Sequence, residues 1–301
     1  MADAPVRDIT IAPDGAFSLA AAAAFGFGPN TGRPKPDGSA MSLAFVADDH
    51  RHHAAAIVTQ DPEGVVNAAL IGEADPTVVE AQLRRVLSLD HSGLAWAEVG
   101  VRDPVIGRLQ AAHTGLRPVL FHSPYEAAAW SVLSQRRHRV QATALRRRLS
   151  AAHGHVFKLP NGDLEAFPLP EALLRVGSFP SIEPVRMERL HGVARAALAG
   201  VLEPSRLLGM TTQEALADLC RLPGIGPMYA GLILLRSTGA TDVMTFNEPH
   251  LPAYVAHLYG LAGPASPGEL ERIAAAWRPF RTWTSVLIRV AGDLAGIPGG
   301  R

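Results

Sequence analysis

The chain has almost no sulfur chemistry and almost no lysine. One of its 301 residues is cysteine, Cys220, which excludes an internal disulfide framework, a four-cysteine zinc site and a four-cysteine iron–sulfur cluster. Its 28 basic residues include only two lysines, Lys35 and Lys158. Long apolar runs are also missing. The longest, Leu19 to Phe27, is too short to span a bilayer and lacks the basic start of a secretory signal. The expectation is a soluble, cytoplasmic protein with no membrane partner. Aromatic residues make up only 6% of the chain, but 48% hydrophobic and 19% charged residues suit a globular fold with a real core.

The net charge is zero, so there is no global field of one sign. The zero hides an asymmetry. Residues 1–110 carry 8 basic and 14 acidic side chains, and residues 111–301 carry 20 and 14. Between Arg117 and Ala152 there are seven arginines and one acid, Glu126. Such a region either binds a polyanion locally or solvates a helix face, and composition leaves both readings open.

Short apolar runs at 41–47, 54–60 and 65–73 are separated by the polar turns Asp48-Asp49 and Asp61-Pro62-Glu63-Gly64. Turns this short make hairpins, which predicts an antiparallel sheet. A helix follows, with Asp75 as N-cap and Pro76 in its first turn. From there the pattern turns helical, with nine stretches at 103–112, 124–152, 170–176, 185–199, 212–220, 228–238, 249–258, 267–277 and 280–293. The predicted class is α+β. An antiparallel sheet and helix over residues 1–92 precede an all-helical domain over residues 93–301. No internal repeat, nucleotide-binding glycine loop or Gly-x-Ser-x-Gly elbow is present.

The most informative stretch is Leu222-Pro223-Gly224-Ile225-Gly226-Pro227. One helix ends at Cys220 and another starts at Pro227. The two glycines permit positive φ and close approach of another backbone. Ile225 fits the gap between the helices. The amides of the turn and the positive end of the second helix then face outward, where a phosphate binds.

With this hairpin the chain resembles the helix-hairpin-helix DNA glycosylase superfamily (HhH-GPD), and within it the bacterial AlkA-type 3-methyladenine DNA glycosylases. The resemblance covers nearly the full length. Pro124-Tyr125-Glu126 through Ser134-Gln135 is similar to the helix leading into that family's wedge loop, and Trp277-Arg278-Pro279-Phe280-Arg281-Thr282-Trp283 to its Trp-Lys-Pro-Trp-Arg element. The resemblance implies a monofunctional DNA glycosylase of base-excision repair. It would hydrolyse the N-glycosidic bond of damaged, alkylated purines in duplex DNA, acting as a monomer with no cofactor and no catalytic metal.

Residue by residue, the resemblance places the hairpin on Gly224, Ile225 and Gly226, and the wedge and its phosphate contacts on Gln135, Arg136, Arg137 and Arg139. The family's catalytic aspartate falls on Glu248, one methylene longer, with Pro249 expected to open the helix behind it and Glu248 or Asn247 to cap it. Three aromatic base-pocket positions fall on Met228, Leu232 and Arg289, none aromatic. Trp130, Tyr229, Trp277 and Trp283 are either substitute aromatic faces or core. Met228 also stands where bifunctional relatives carry a Schiff-base lysine, which argues against lyase chemistry by that route. His250 either assists Glu248 or is a capping or solvent-facing residue, and Cys220 is expected to be buried. The cluster Arg146-Arg147-Arg148 is either a solvated face or a phosphate contact. The departures at Glu248 and in the pocket leave two alternatives: a non-catalytic binder of damaged DNA, and a glycosylase for another lesion such as hypoxanthine or a bulky adduct.

Overall fold

A computed structural model describes residues 7–25, 32–34, 39–244 and 250–297. Five strands near the N-terminus, β1 (Arg7–Ile11), β2 (Gly32–Pro34), β3 (Ala40–Val46), β4 (His53–Gln60) and β5 (Val66–Gly72), form one sheet in the order β1-β5-β4-β3-β2. Every neighbouring pair is antiparallel. The three central strands are the three expected from the apolar runs. β1 and β2 extend the sheet at its two edges. Helices α1 (Leu19–Phe25) and α2 (Pro76–Val86) accompany the sheet. Asp75 caps α2 as expected, its carboxylate accepting from the Thr77 amide at 2.8 Å. Phe45, Val58, Leu70, Leu83 and Leu87 are buried together between the sheet and α2.

The helical part runs through α3 (Gly93–Arg102), α4 (Pro104–Ala112), α5 (Pro124–Ser134), α6 (Arg139–His153), α7 (Pro170–Leu174), α8 (Pro184–Leu198) and α9 (Pro204–Leu208). It continues through α10 (Thr212–Leu219), α11 (Pro227–Ser237), α12 (Leu251–Tyr259), α13 (Pro267–Ala274) and α14 (Arg281–Leu294). The α+β class expected from the sequence is the class observed. Two details differ. A two-stranded hairpin, β6 (His155–Phe157) with β7 (Leu164–Ala166), interrupts the helices and packs Phe157, Leu164 and Ala166 against Ala44 and Ala55 of the sheet. The stretch expected as one helix over 124–152 is two, α5 and α6, broken at Gln135–His138.

Helix α5 explains where the helical core lies. Its sequence is apolar nearly all round, and every residue from Pro124 to Leu133 is buried, as a helix without a polar face requires. It packs with α6, α8, α10 and α11 in one apolar cluster that includes Trp130, Leu190, Leu219 and Ile225. A second cluster joins α3, α4, α12, α13 and α14 around Trp96, Trp277, Phe280 and Trp283. Trp277 and Trp283 are therefore core residues, and Trp277 is held further by its indole N–H, which donates to Asp103 at 3.0 Å.

A polar seam joins sheet to helices. The Glu126 carboxylate on α5 accepts from the Val46 amide at 3.0 Å and from the Arg146 guanidinium at 2.6 Å. Gln82 donates to the carbonyls of Val46 and His122, each at 3.0 Å. Arg85 donates to both oxygens of Asp48 and to the carbonyls of His122 and Ser237. Among the described residues no helix is long and apolar enough to cross a membrane.

Candidate functional site

Helix α10 opens on a capping box between Thr211 and Glu214 and ends at Cys220. The chain turns through Arg221–Gly226 and enters α11 at Pro227. Two residues of this turn face inward: Leu222, and Ile225 at 4% exposure, which seats in the apolar cluster beneath. The turn is therefore clamped from below, and Pro223, Gly224, Gly226 and Pro227 lie on the outside.

The two glycines play different parts. Gly224 has φ of +85°, the left-handed region where a side chain is strained. Gly226 has φ of −94°, which any residue adopts, so the expectation of left-handed freedom holds at the first glycine only. What distinguishes Gly226 is space: a Cβ built there meets nothing within 4 Å. No side chain caps α11, so the positive end of its peptide dipoles is open beside that space.

Across from the hairpin lies the break between α5 and α6. Arg136 sits there with φ of +53°, an uncommon conformation for a side-chain-bearing residue. Such strain is found where a loop is held to a task. Its side chain is exposed, as are those of His138 and Arg139. Arg137 is different: it donates to Ser181 O at 2.6 Å and pairs with Glu183 at 3.3 Å, which ties the loop to the segment before α8. Gln135 does not point outward. Its Nε2 donates to the Gly224 carbonyl at 2.6 Å, and its Oε1 accepts from Arg189 at 3.1 Å. Loop and hairpin therefore touch directly.

The remaining arginines of the basic segment each have a partner within the protein, although Arg147 and Arg148 stay exposed. Arg146 is buried on Glu126 with its guanidinium 5.6 Å from the centre of the Phe167 ring. Arg147 pairs with Glu165, and Arg148 lies over Phe179. Arg117 is fully buried and donates to the carbonyls of Asp14, Ala16, Ser88 and His91. Of the seven, only Arg136, Arg137 and Arg139 lie at the loop.

Glu248, with Asn247 and Pro249, lies outside the described residues. The helix beyond it starts later than expected: α12 begins at Leu251 with His250 in the N-cap position, and the His250 ring stacks on Tyr254 at 5.8 Å. The pocket positions divide. Met228 is 56% exposed at the start of α11, Tyr229 and Leu232 are half-buried, and Trp130 is buried in the helical core. Arg289 on α14 pairs with Asp293 at 3.0 Å, and Asp293 also accepts from the Tyr254 hydroxyl at 2.6 Å. Burial, followed by the like charge of Arg289, pushes the Arg236 guanidinium below its ordinary value. Cys220 is exposed, against the expectation of burial, because the α10 cap turns it out of the cluster that holds Leu219.

Sequence reading missed Arg186 and Arg189 on α8. Arg186 donates to the carbonyls of Val132, Leu133 and Gln135, closing the end of α5. Their only sequence signal was a pair of arginines three apart on a helix, which a solvated face shows equally.

The helical array around the hairpin, set behind the antiparallel sheet, matches solved structures over almost the whole chain. A 3-methyladenine DNA glycosylase from Archaeoglobus fulgidus superimposes with a TM-score of 0.75 at 19% identity, covering 96% of this chain and 100% of the other. This is the fold of the helix-hairpin-helix DNA glycosylase superfamily. Sequence comparison finds relatives named for DNA glycosylase and DNA repair activity. A DNA-3-methyladenine glycosylase of Bacillus subtilis is 22% identical over 202 residues, 65% of this chain and 66% of that protein. A Mycobacterium tuberculosis protein named "probable bifunctional transcriptional activator/DNA repair enzyme AlkA" is 29% identical over 214 residues, 70% of this chain and 42% of that protein. The chain thus spans just under two thirds of the first relative and under half of the second. No protein-family model matches it.

Proposed function

We propose that the chain is a DNA glycosylase of base-excision repair that releases damaged purines from duplex DNA by hydrolysing the N-glycosidic bond. What carries the reading is one arrangement: an open, uncapped helix start over Gly226, with the exposed Arg136 held directly across from it. The hairpin binds backbone phosphate through main-chain amides, independent of sequence. Arg136 enters the duplex where a base has left the stack. Its planar guanidinium can stack on neighbouring bases as well as meet phosphate. Extrusion is required because the bond to be cut is inaccessible inside a duplex.

Glu248 is the proposed catalytic group. Departure of the base leaves an oxocarbenium-like sugar, and a fixed carboxylate stabilises that cation and orients the attacking water. Alkylated purines already carry positive charge and leave readily, so no second carboxylate is needed. Met228 in place of an amine at the hairpin supports a hydrolase without Schiff-base lyase chemistry. DNA containing damaged bases is then the partner.

A second reading of the substrate has its own support. Arg289 stands at a position where the resemblance puts an aromatic ring, and its charge is felt by Arg236. A cationic base gains nothing there, whereas a neutral base with carbonyl acceptors, such as hypoxanthine, does. The test is to incubate the protein and its Glu248→Gln variant with methylated duplex and with hypoxanthine-containing duplex, and to identify released bases by mass spectrometry. Release of methylpurines by wild type alone supports the first reading, and release of hypoxanthine alone the second. Release of any base by both proteins removes Glu248 from the centre of the mechanism. No release from either duplex, by protein that binds both, favours the non-catalytic binder.

A further inference from the structure

Helix α8 makes none of the DNA contacts proposed above, yet one of its faces touches both elements that do. Arg186, Arg189 and Gly192 recur at three-residue intervals, so they lie along one side of the helix. Arg186 holds the carbonyl end of α5, including Gln135 O at 3.1 Å. Gly192 lies against the hairpin, where a Cβ would sit 3.5 Å from Pro223 Cδ. Arg189 stands between them and does both things. Its Nη1 donates to Gln135 Oε1 at 3.1 Å, and its stem covers Gly224, where a Cβ would come within 2.6 Å of Arg189 Cδ and 2.9 Å of Nε. Gln135 closes the circuit by donating to the Gly224 carbonyl at 2.6 Å.

We propose that Arg189 is a positioning residue: through Gln135 and Gly224 it fixes the register between the loop carrying Arg136 and the phosphate-binding hairpin. This rests on the DNA-binding reading given above. The chemistry fits the task. The Gln135 amide must offer its N–H to Gly224 and its oxygen elsewhere, and a guanidinium locks that orientation because it only donates. With the amide locked, the left-handed turn at Arg136 has a fixed base. Arg136 then reaches the duplex at a set distance from the phosphate on the hairpin. Freed from the lock, the two elements would still bind DNA, but not at the spacing that a missing base presents.

The test uses Arg189→Ala, Arg189→Lys, Gln135→Ala and the double variant Arg189→Ala/Gln135→Ala in the 301-residue chain. Anisotropy titrations use one labelled duplex, intact or carrying a tetrahydrofuran abasic analogue. Arg189→Ala should bind the abasic duplex about tenfold more weakly, the loss of one charge-assisted hydrogen bond. It should bind the intact duplex within about twofold of wild type, with an unchanged salt slope. Gln135→Ala should show the same abasic loss, the double variant no more than either single one, and Arg189→Lys should recover most of it. Additive losses in the double variant would overturn the proposal. So would equal losses on both duplexes with the salt slope reduced by about one, which is the signature of a direct phosphate contact.

A DNA-free measurement separates this proposal from the function beneath it. In the free protein the Gln135 side-chain amide resonances, assigned by their loss in Gln135→Ala, should shift in Arg189→Ala and stay in place in Arg189→Lys. Unmoved resonances in Arg189→Ala refute the bracket. A shift in a protein that binds neither duplex leaves the bracket and refutes the proposed function. Should Arg189→Ala fail to fold, Arg189→Met keeps the stem over Gly224 and removes only the donor.

Discussion

Replacing Glu126 with glutamine isolates the charge at the seam between sheet and helices. The carboxylate is nearly fully buried, and burial alone would raise its pKa. The charges of His122 and Arg146, with hydrogen bonds from His122 and the Val46 amide, outweigh burial and hold it at about 2, against an ordinary 4.5. Because the folded value is depressed, the stabilisation is fully present above the unfolded value and is lost as pH falls toward the folded one. At 1.36 kcal/mol per unit, that shift amounts to about 3 kcal/mol at pH 7, nearly all of it still present at pH 5 and roughly half of it at pH 3. The neutral amide of Glu126→Gln keeps the shape but has no charge to lose. Urea denaturation of both proteins at pH 7, 5 and 3 should show a gap of about 3 kcal/mol that narrows by roughly half at the lowest pH. A gap of the same size at all three pH values would assign the loss to packing. A gap under about 1 kcal/mol at pH 7 would show that the ion pair barely repays the desolvation of its charges.

The hairpin glycines should separate stability from binding. Gly224→Ala forces a side chain into the left-handed region and against Arg189, and should cost about 1–2 kcal/mol in denaturation midpoints. The Cβ of Gly226→Val meets nothing within 4 Å, so its thermal midpoint should stay within a degree or two while its affinity for intact duplex falls at least tenfold. Unchanged affinity would remove the hairpin from the interface. Cys220 should react with a thiol reagent in the native protein, and saturating duplex should slow the reaction several-fold. Labelling that needs denaturant would contradict its exposed position.

Those features that depend on neighbours in sequence were legible in advance. The hairpin is one: five consecutive residues set its turn, its buried Ile225 and its open face. Asp75 with Pro76 marked α2 for the same reason. The break after Ser134 was legible only through the family resemblance, which put a wedge loop at Gln135; the residue pattern itself ran on as one helix, since Gln135-Arg136-Arg137-His138 contains neither glycine nor proline. The helix stops there because Arg186, some fifty residues onward, takes up the last carbonyls of α5 while Arg136 turns left-handed. The basic cluster stayed ambiguous for a related reason. Arg146 has its partner Glu126 on a different helix, and no spacing rule connects the two. Arg189 was invisible for the same cause: its meaning lies in what two other segments bring to it.

The strand order has a consequence for the way the chain comes together. β3 pairs with β4, and β4 with β5, through turns of a few residues, so the middle of the sheet can close early and cheaply. β1 has no such partner. Its residues Arg7 to Ile11 pair with Leu70 through Val66, across three intervening strands. During synthesis it is made before the other strands of its sheet and waits until β5 has followed. Such distant pairing is slow to form and exposes an unpaired strand in the interval. The first strand of the sheet to be made is thus the one that must find its open edge, and the refolding rate of the sheet should be limited by that search.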